Sequence, residues 1–242
     1  MNRRYFLKYT LAYAGSIATY NNLTWAHSKN KNKTNITKNK EALIIVDVQN
    51  DFCPGGSLPV KKGNTIIPII NKLQSQFSFI ALTQDWHPED HSSFSTNNPE
   101  KDLFSIKRMS YGDQVIWPPH CIIGTKGAKF HKELNVNKAN IIIRKGFRSN
   151  IDSYSGFFEN DRITKTGLEG ILKNFGIERV YVVGLALDYC VHYTAIDSAK
   201  LGFQTFVIKE ATLPVSVGNS VEETMKNFKK HDVNYISFKD II

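Results

Sequence analysis

Three side chains in this sequence, Asp47, Lys145 and Cys190, are of the types that together perform nucleophilic chemistry. Asp47 follows the apolar run Leu43-Ile44-Ile45-Val46, and Lys145 follows Ile141-Ile142-Ile143-Arg144. Cys190 comes shortly after Gly184, which closes the run Val180-Tyr181-Val182-Val183. A thiol at the start of a helix has its thiolate stabilised by the helix dipole, and a nearby lysine adds to this. A carboxylate within reach can take the thiol proton. That is the nucleophile-and-base arrangement of covalent catalysis, with Asp in place of His. Singly, each residue has a plainer reading. Cysteines are commonly core residues, and an Asp after a strand is commonly a turn residue. The three stand out because they share the same position, at the ends of apolar runs.

A second set lies in Asp85-Trp86-His87-Pro88-Glu89-Asp90-His91 and Trp117-Pro118-Pro119-His120-Cys121. Imidazole and carboxylate side chains suit one divalent metal ion of the first row: zinc, iron or manganese. The plainer alternative is a polar surface loop with solvated histidines. His27, His131, His192 and His231 fall outside these stretches and read as surface or structural residues.

Strands alternating with helices must position both sets. The continuous apolar run 42–46 reads as a strand buried on both faces. Helical spacing follows over 65–77, then strands over 79–82 and 141–143. Residues 85–137 show no sustained period and read as a long functional excursion. Thr166-Gly167-Leu168-Glu169 has the form of a capping box opening a helix through Phe175. A strand over 180–183, a helix over 188–201, a strand over 203–208, a helix over 221–230 and a short strand at 235–236 complete the pattern. It predicts a three-layer α/β/α fold around a mostly parallel, about six-stranded sheet. Ligands of such sheets bind beyond the carboxyl ends of the strands, where the candidate residues lie. Neither Gly-x-Gly-x-x-Gly after the first strand nor a Walker A motif appears.

Of 242 residues, 41% are hydrophobic and 12% aromatic, enough for a sizeable core. No stretch approaches the roughly 18 apolar residues of a membrane-spanning helix. The three cysteines cannot all pair within one chain. The net charge of +9 belongs to the N-terminus: eight of the 31 basic residues and none of the 22 acidic ones lie in residues 1–40. The remainder is near neutral, which argues against a nucleic-acid partner. Asn2-Arg3-Arg4-Tyr5-Phe6-Leu7-Lys8, a short apolar stretch and Thr24-Trp25-Ala26 resemble a twin-arginine export signal over residues 1–26. Residues 27–40 read as a polar linker, and 41–242 as one domain. The expected location is the periplasm. The alternative is a cytoplasmic protein with a basic N-terminus.

In order along the chain, these residues resemble the nicotinamidase (pyrazinamidase) family of isochorismatase-like cysteine hydrolases. The stretches that carry the resemblance are Val46-Asp47-Val48-Gln49-Asn50-Asp51-Phe52-Cys53, Asp85-Trp86-His87, Trp117-Pro118-Pro119-His120-Cys121, Lys145-Gly146, Asp152-Ser153-Tyr154-Ser155, and Gly184 through Val191. The resemblance implies deamidation of nicotinamide to nicotinic acid and ammonia through a Cys190 thioester, for NAD salvage, with pyrazinamide as a further substrate. Asp47 would be the base, and Lys145 would orient it. Asp85, His87, His91 and His120 would bind the metal; the spacing between His87 and His91 varies within the family, and Glu89 and Asp90 lie close enough to compete for the His91 role. Phe52, Trp117 and Tyr154 would wall the ring pocket. The family also implies a cis peptide at Leu185–Ala186, and amides of Ala186 and Cys190 as the oxyanion hole. Leu187 stands where the family usually has Thr, which would remove a hydroxyl near that turn. A small-molecule partner is implied, and a homo-oligomer is compatible with the reading. Two other readings stay open. One is a metal-free isochorismatase-like amidase or ureido-acid hydrolase. The other is a non-catalytic periplasmic small-molecule binding protein.

Overall fold

The computed structural model describes residues 40–241. The expected export signal lies outside the described residues, as does the linker apart from Lys40. Eight strands form: β1 (Glu41–Val46), β2 (Phe79–Asp85), β3 (Ile106–Met109), β4 (Gly112–Val115), β5 (Ile141–Lys145), β6 (Arg179–Leu185), β7 (Gln204–Leu213) and β8 (Asn234–Ile236). Among the described residues, four α-helices accompany them: α1 (Ile67–Leu73), α2 (Leu168–Asn174), α3 (His192–Lys200) and α4 (Ser220–Lys230). Six strands make one sheet in the order β5-β2-β1-β6-β7-β8, with every neighbouring pair parallel.

β1 shows why the sheet is covered on both faces. Leu43 and Ile45 join one buried cluster with Ile67, Ile70 and Leu73 of α1. Ala42, Ile44 and Val46 join another with Leu168 and Leu172 of α2, Ala195 and Ile196 of α3, and Phe228 of α4. Alternation along the strand thus feeds both clusters, and an unbroken apolar run is what that demands. Burying each such aliphatic side chain is worth about 1.5–3 kcal/mol. The expected three-layer fold is the one observed.

The register also sets the site. Val46 pairs with Gly184, and Asp85 pairs with Lys145, so these strand ends lie side by side. Gly184 is obligatory there. Its φ is +113°, and a Cβ would meet the Val46 carbonyl oxygen at 2.1 Å.

Four local features differ from the sequence reading. The irregular excursion contains the antiparallel hairpin β3–β4, whose short strands are largely half-buried or exposed and carry no apolar alternation. β7 runs on through the polar Lys209-Glu210 to Leu213 after a register shift opposite β6. The reciprocal capping box does not form: the Thr166 hydroxyl accepts from the Leu168 N–H at 3.3 Å and donates to the Gly156 carbonyl, but Glu169 pairs with Lys165 and Lys173 instead. The expected helix over 188–201 opens as a π turn, Leu187–Val191, before α3 begins.

Candidate active site

Asp47 leaves β1 in a left-handed conformation, φ 46°, which Asp tolerates better than most residues. Its Oδ1 accepts a 2.6 Å hydrogen bond from the Thr83 hydroxyl. Its Oδ2 lies 2.8 Å from Lys145 Nζ. Lys145 is wholly buried at the end of β5. Its ammonium also donates to the Ser153 carbonyl at 2.9 Å, contacts Cys190 Sγ at 3.3 Å, and forms a short bond to Asp85. One cation therefore joins the end of β1, the end of β2 and the π turn after β6.

Charge explains why this lysine stays protonated. Burial alone would lower its pKa, but Asp47 and Asp85 outweigh that and hold it well above the usual lysine value. Burial pushes Asp47 up to about 6 against the opposing pull of Lys145. Burial also pushes the Cys190 thiol well above its ordinary range; Lys145 acts in the other direction. The resting sulfur is thus a neutral thiol. Desolvation outweighs the pull of Lys145 toward the thiolate. Activation requires a base, and Asp47 stands within 4.8 Å of Sγ.

The second set gathers on the other side of Lys145. One ligand atom from each of Asp85, His87 and His120 lies within 4.8 Å of the others, and all three residues are buried. His87 Nδ1 faces the Gly146 carbonyl at 2.8 Å, and His120 Nδ1 faces the Pro118 carbonyl at 2.8 Å. Such carbonyls fix the proton on Nδ1 and turn Nε2 toward Asp85; for His87, burial is outweighed by the Asp85 carboxylate, which raises its pKa above the ordinary value. The two Nε2 atoms lie 3.6 and 3.8 Å from Asp85 Oδ2. Burial, aided by His87, lowers His120 to about 4, which keeps its imidazole neutral. Asp47 and Asp85 also exceed the one lysine by a negative charge. These donors fit a divalent cation.

Gly146 is fitted to this arrangement. At φ +65°, a Cβ there would come within 2.3 Å of the His87 ring. His91 is set differently. Its Nδ1 accepts from the Ser93 N–H at 3.3 Å, and its Nε2 faces the Ile151 carbonyl at 3.4 Å. It clusters with His87 and Asp152, not with Asp85 and His120. Of the four expected ligands, three meet at one point and His91 has both ring nitrogens engaged elsewhere.

A pocket opens over Cys190 and is lined by Phe52, Trp117, Tyr154, Tyr189, Ala186 and Val215, with Asp85 and His120 at one side. Trp117 meets Tyr189 edge-on at 4.7 Å. The Tyr154 hydroxyl accepts from Trp117 Nε1 at 2.9 Å and from Gln114 Nε2 at 2.7 Å. A flat aromatic ring fits such walls. The Leu185–Ala186 peptide is cis. Leu187 is buried in the core cluster beneath the turn and does not line the pocket, so the absent threonine hydroxyl leaves no gap in the wall.

Several positioning residues escaped the sequence reading. Thr83 lies inside a strand and looks like any β-branched residue. Gln49 gives 2.8 Å bonds to both the carbonyl and the N–H of Asp85, standing in for a neighbouring strand. Gln114 and Asp152 join β4 to the pocket by a 2.7 Å bond. Gln49 and Asp152 lie within the quoted motifs, and only they carried a signal. Cys53 and Cys121 are buried free thiols in the α1-side core.

The isochorismatase domain family matches residues 41–237. A nicotinamidase of Acinetobacter baylyi is 47% identical over 204 residues, covering 84% of this chain and 95% of that protein. The solved structure of an Acinetobacter baumanii nicotinamidase/pyrazinamidase is 48% identical with a TM-score of 0.83, covering 84% of this chain and 99% of that one. A Pyrococcus horikoshii pyrazinamidase solved in complex with zinc is 34% identical with a TM-score of 0.67, covering 82% and 99%.

Proposed function

The chain belongs to the isochorismatase-domain family and, within it, to the nicotinamidases, and we propose that it hydrolyses nicotinamide to nicotinic acid and ammonia through a Cys190 thioester. The observation that carries the reading is the buried Lys145 ammonium, which touches Cys190 and both acidic strand ends. A binding module needs no such arrangement.

Asp47 takes the Cys190 proton as sulfur attacks the carboxamide carbon. Lys145 holds the Asp47 carboxylate in place and offsets the charge that forms. The backbone amides of Ala186 and Cys190 are the donors for the oxyanion, a contribution of about 3–4 kcal/mol per donor in comparable sites. The carbon–nitrogen bond breaks, Asp47 returns the proton to the leaving nitrogen, and ammonia departs. Asp47 then deprotonates a water, which cleaves the thioester and restores the thiol. Phe52, Trp117 and Tyr154 hold the ring.

Asp85, His87 and His120 would hold one divalent cation of zinc, iron or manganese type. When bound, it supplies a Lewis-acid position for the ring nitrogen. A metal-dependent deamidase is thereby favoured over a metal-free amidase, which has no use for two imidazole Nε2 atoms turned onto one buried carboxylate. The same pocket would accept pyrazinamide.

The test is turnover by the full chain, followed as nicotinic acid and ammonia, beside Cys190→Ala and with metal content measured. Conversion lost in the variant supports the reading. Absence of conversion by metal-loaded wild type refutes it. Location is a separate proposal: the Arg3-Arg4 segment directs export to the periplasm. A reporter fusion exported equally well after Arg3→Lys and Arg4→Lys would refute that.

A further inference from the structure

The turn that carries Cys190 sends its side chains in three directions. Leu187 enters the core below, and Cys190 faces the pocket. Asp188, only 3% exposed, reaches sideways to the segment between β7 and α4. Its Oδ1 accepts from the Val215 N–H at 2.9 Å. Its Oδ2 accepts from the Ser216 N–H at 2.8 Å and the Ser220 hydroxyl at 2.6 Å. One buried carboxylate thus takes three donors from six consecutive residues. Such charge-assisted bonds are stronger than neutral ones.

That segment needs a tether. It makes a sharp reversal, with Ser216 at φ 61° and Gly218 at φ 56°. The left-handed region is unfavourable for serine unless its surroundings hold it there. The residue just before that bend, Val215, is part of the pocket wall. The wall therefore hangs on the nucleophile's own turn.

We propose that Asp188 is a positioning residue that sets substrate affinity by holding the Val215 wall in register with the Cys190 thiol. The inference rests on the reading that the pocket takes an aromatic carboxamide. Asp188 touches neither substrate nor reacting atoms. Its effect is carried by Val215, so it belongs to KM more than to kcat.

A double-mutant cycle on the full, metal-loaded chain tests this. Asp188→Asn should raise KM for nicotinamide about tenfold and lower kcat no more than about threefold. In a Val215→Ala background the same change should raise KM less than about twofold. Ser220→Ala removes a single donor and is the milder probe should Asp188→Asn fold poorly. It should raise KM about threefold, and again only with Val215 present. Additive effects in the two backgrounds, or a fall in kcat at unchanged KM, would overturn the proposal. Amide hydrogen exchange over residues 213–220, without substrate, separates it from the functional reading. Ser220→Ala should speed exchange there and leave the β1 and β6 amides unchanged. Unchanged exchange over 213–220 would overturn the clamp, even if wild type proved inactive on nicotinamide.

Discussion

The two halves of the site are built differently. Asp47 and Lys145 stand at the ends of parallel strands, and Cys190 stands in the turn that follows a third. Their separations are fixed by sheet register, which the core on both faces enforces. His87 and His120 come from irregular backbone between β2 and β5. Neither lies in one of the strands, and a single bridge between His87 and Ile122 is the backbone pairing that joins the two stretches. Each is aimed instead by a carbonyl on Nδ1, and Gly146 leaves room for the His87 ring. Proton transfer tolerates little change in distance, and strand ends supply that rigidity. A cation site tolerates more variation in backbone, so long as the donors are oriented. Asp85 and Lys145 belong to both halves.

Substitutions can break or sharpen this contrast. The largest effect is expected at Asp47→Asn. It should lower kcat about 10³–10⁴-fold while leaving bound metal unchanged by elemental analysis. Equal loss of metal would show that the halves are not separable. Lys145→Met should damage both halves together. It leaves the buried Asp47 and Asp85 carboxylates without their cation, a cost of about 3–5 kcal/mol in denaturant unfolding of the metal-free protein.

His192, on α3 behind the nucleophile, gives a pH test at a residue that belongs to neither half. Burial, with Arg162 assisting, lowers its pKa to about 4 from an ordinary 6.5. The unfolded chain therefore takes up a proton before the folded one as pH falls. Stability is fully present above about 6.5 and is lost progressively down to about 4, by about 3 kcal/mol from this residue. His192→Gln should flatten that part of the stability–pH curve, measured by urea unfolding. An unchanged slope would contradict the assigned burial. The smallest effect is expected at Gly146→Ala. Crowding the His87 ring should weaken metal affinity about 10–100-fold by competition with a chelator, with Cys190 alkylation unaffected.

The same contrast explains what could be read from sequence. Asp47 and Lys145 were legible because unbroken apolar runs announce strands buried on both faces, and a charge at the end of such a run is conspicuous. The six-stranded sheet was legible for the same reason. Thr83 was not, because its role depends on facing Asp47 across the sheet, and nothing in 79–85 marks that. Gln114 was hidden in a hairpin with no alternation. His91 shows the limit of spacing: it lies four residues from His87, yet local bonds to Ser93 and Ile151 engage its ring. The neutral resting thiol was also invisible, since desolvation of Cys190 is a property of the whole pocket.

The central claim is that Cys190 forms the covalent intermediate. Its most direct test is intact-mass analysis of the full-length, metal-loaded protein, acid-quenched during turnover of nicotinamide. The account predicts a nicotinoyl adduct that maps to the peptide bearing Cys190 and is absent from Cys190→Ala. Turnover retained in Cys190→Ala, or an adduct mapping to Cys53 or Cys121, would contradict it.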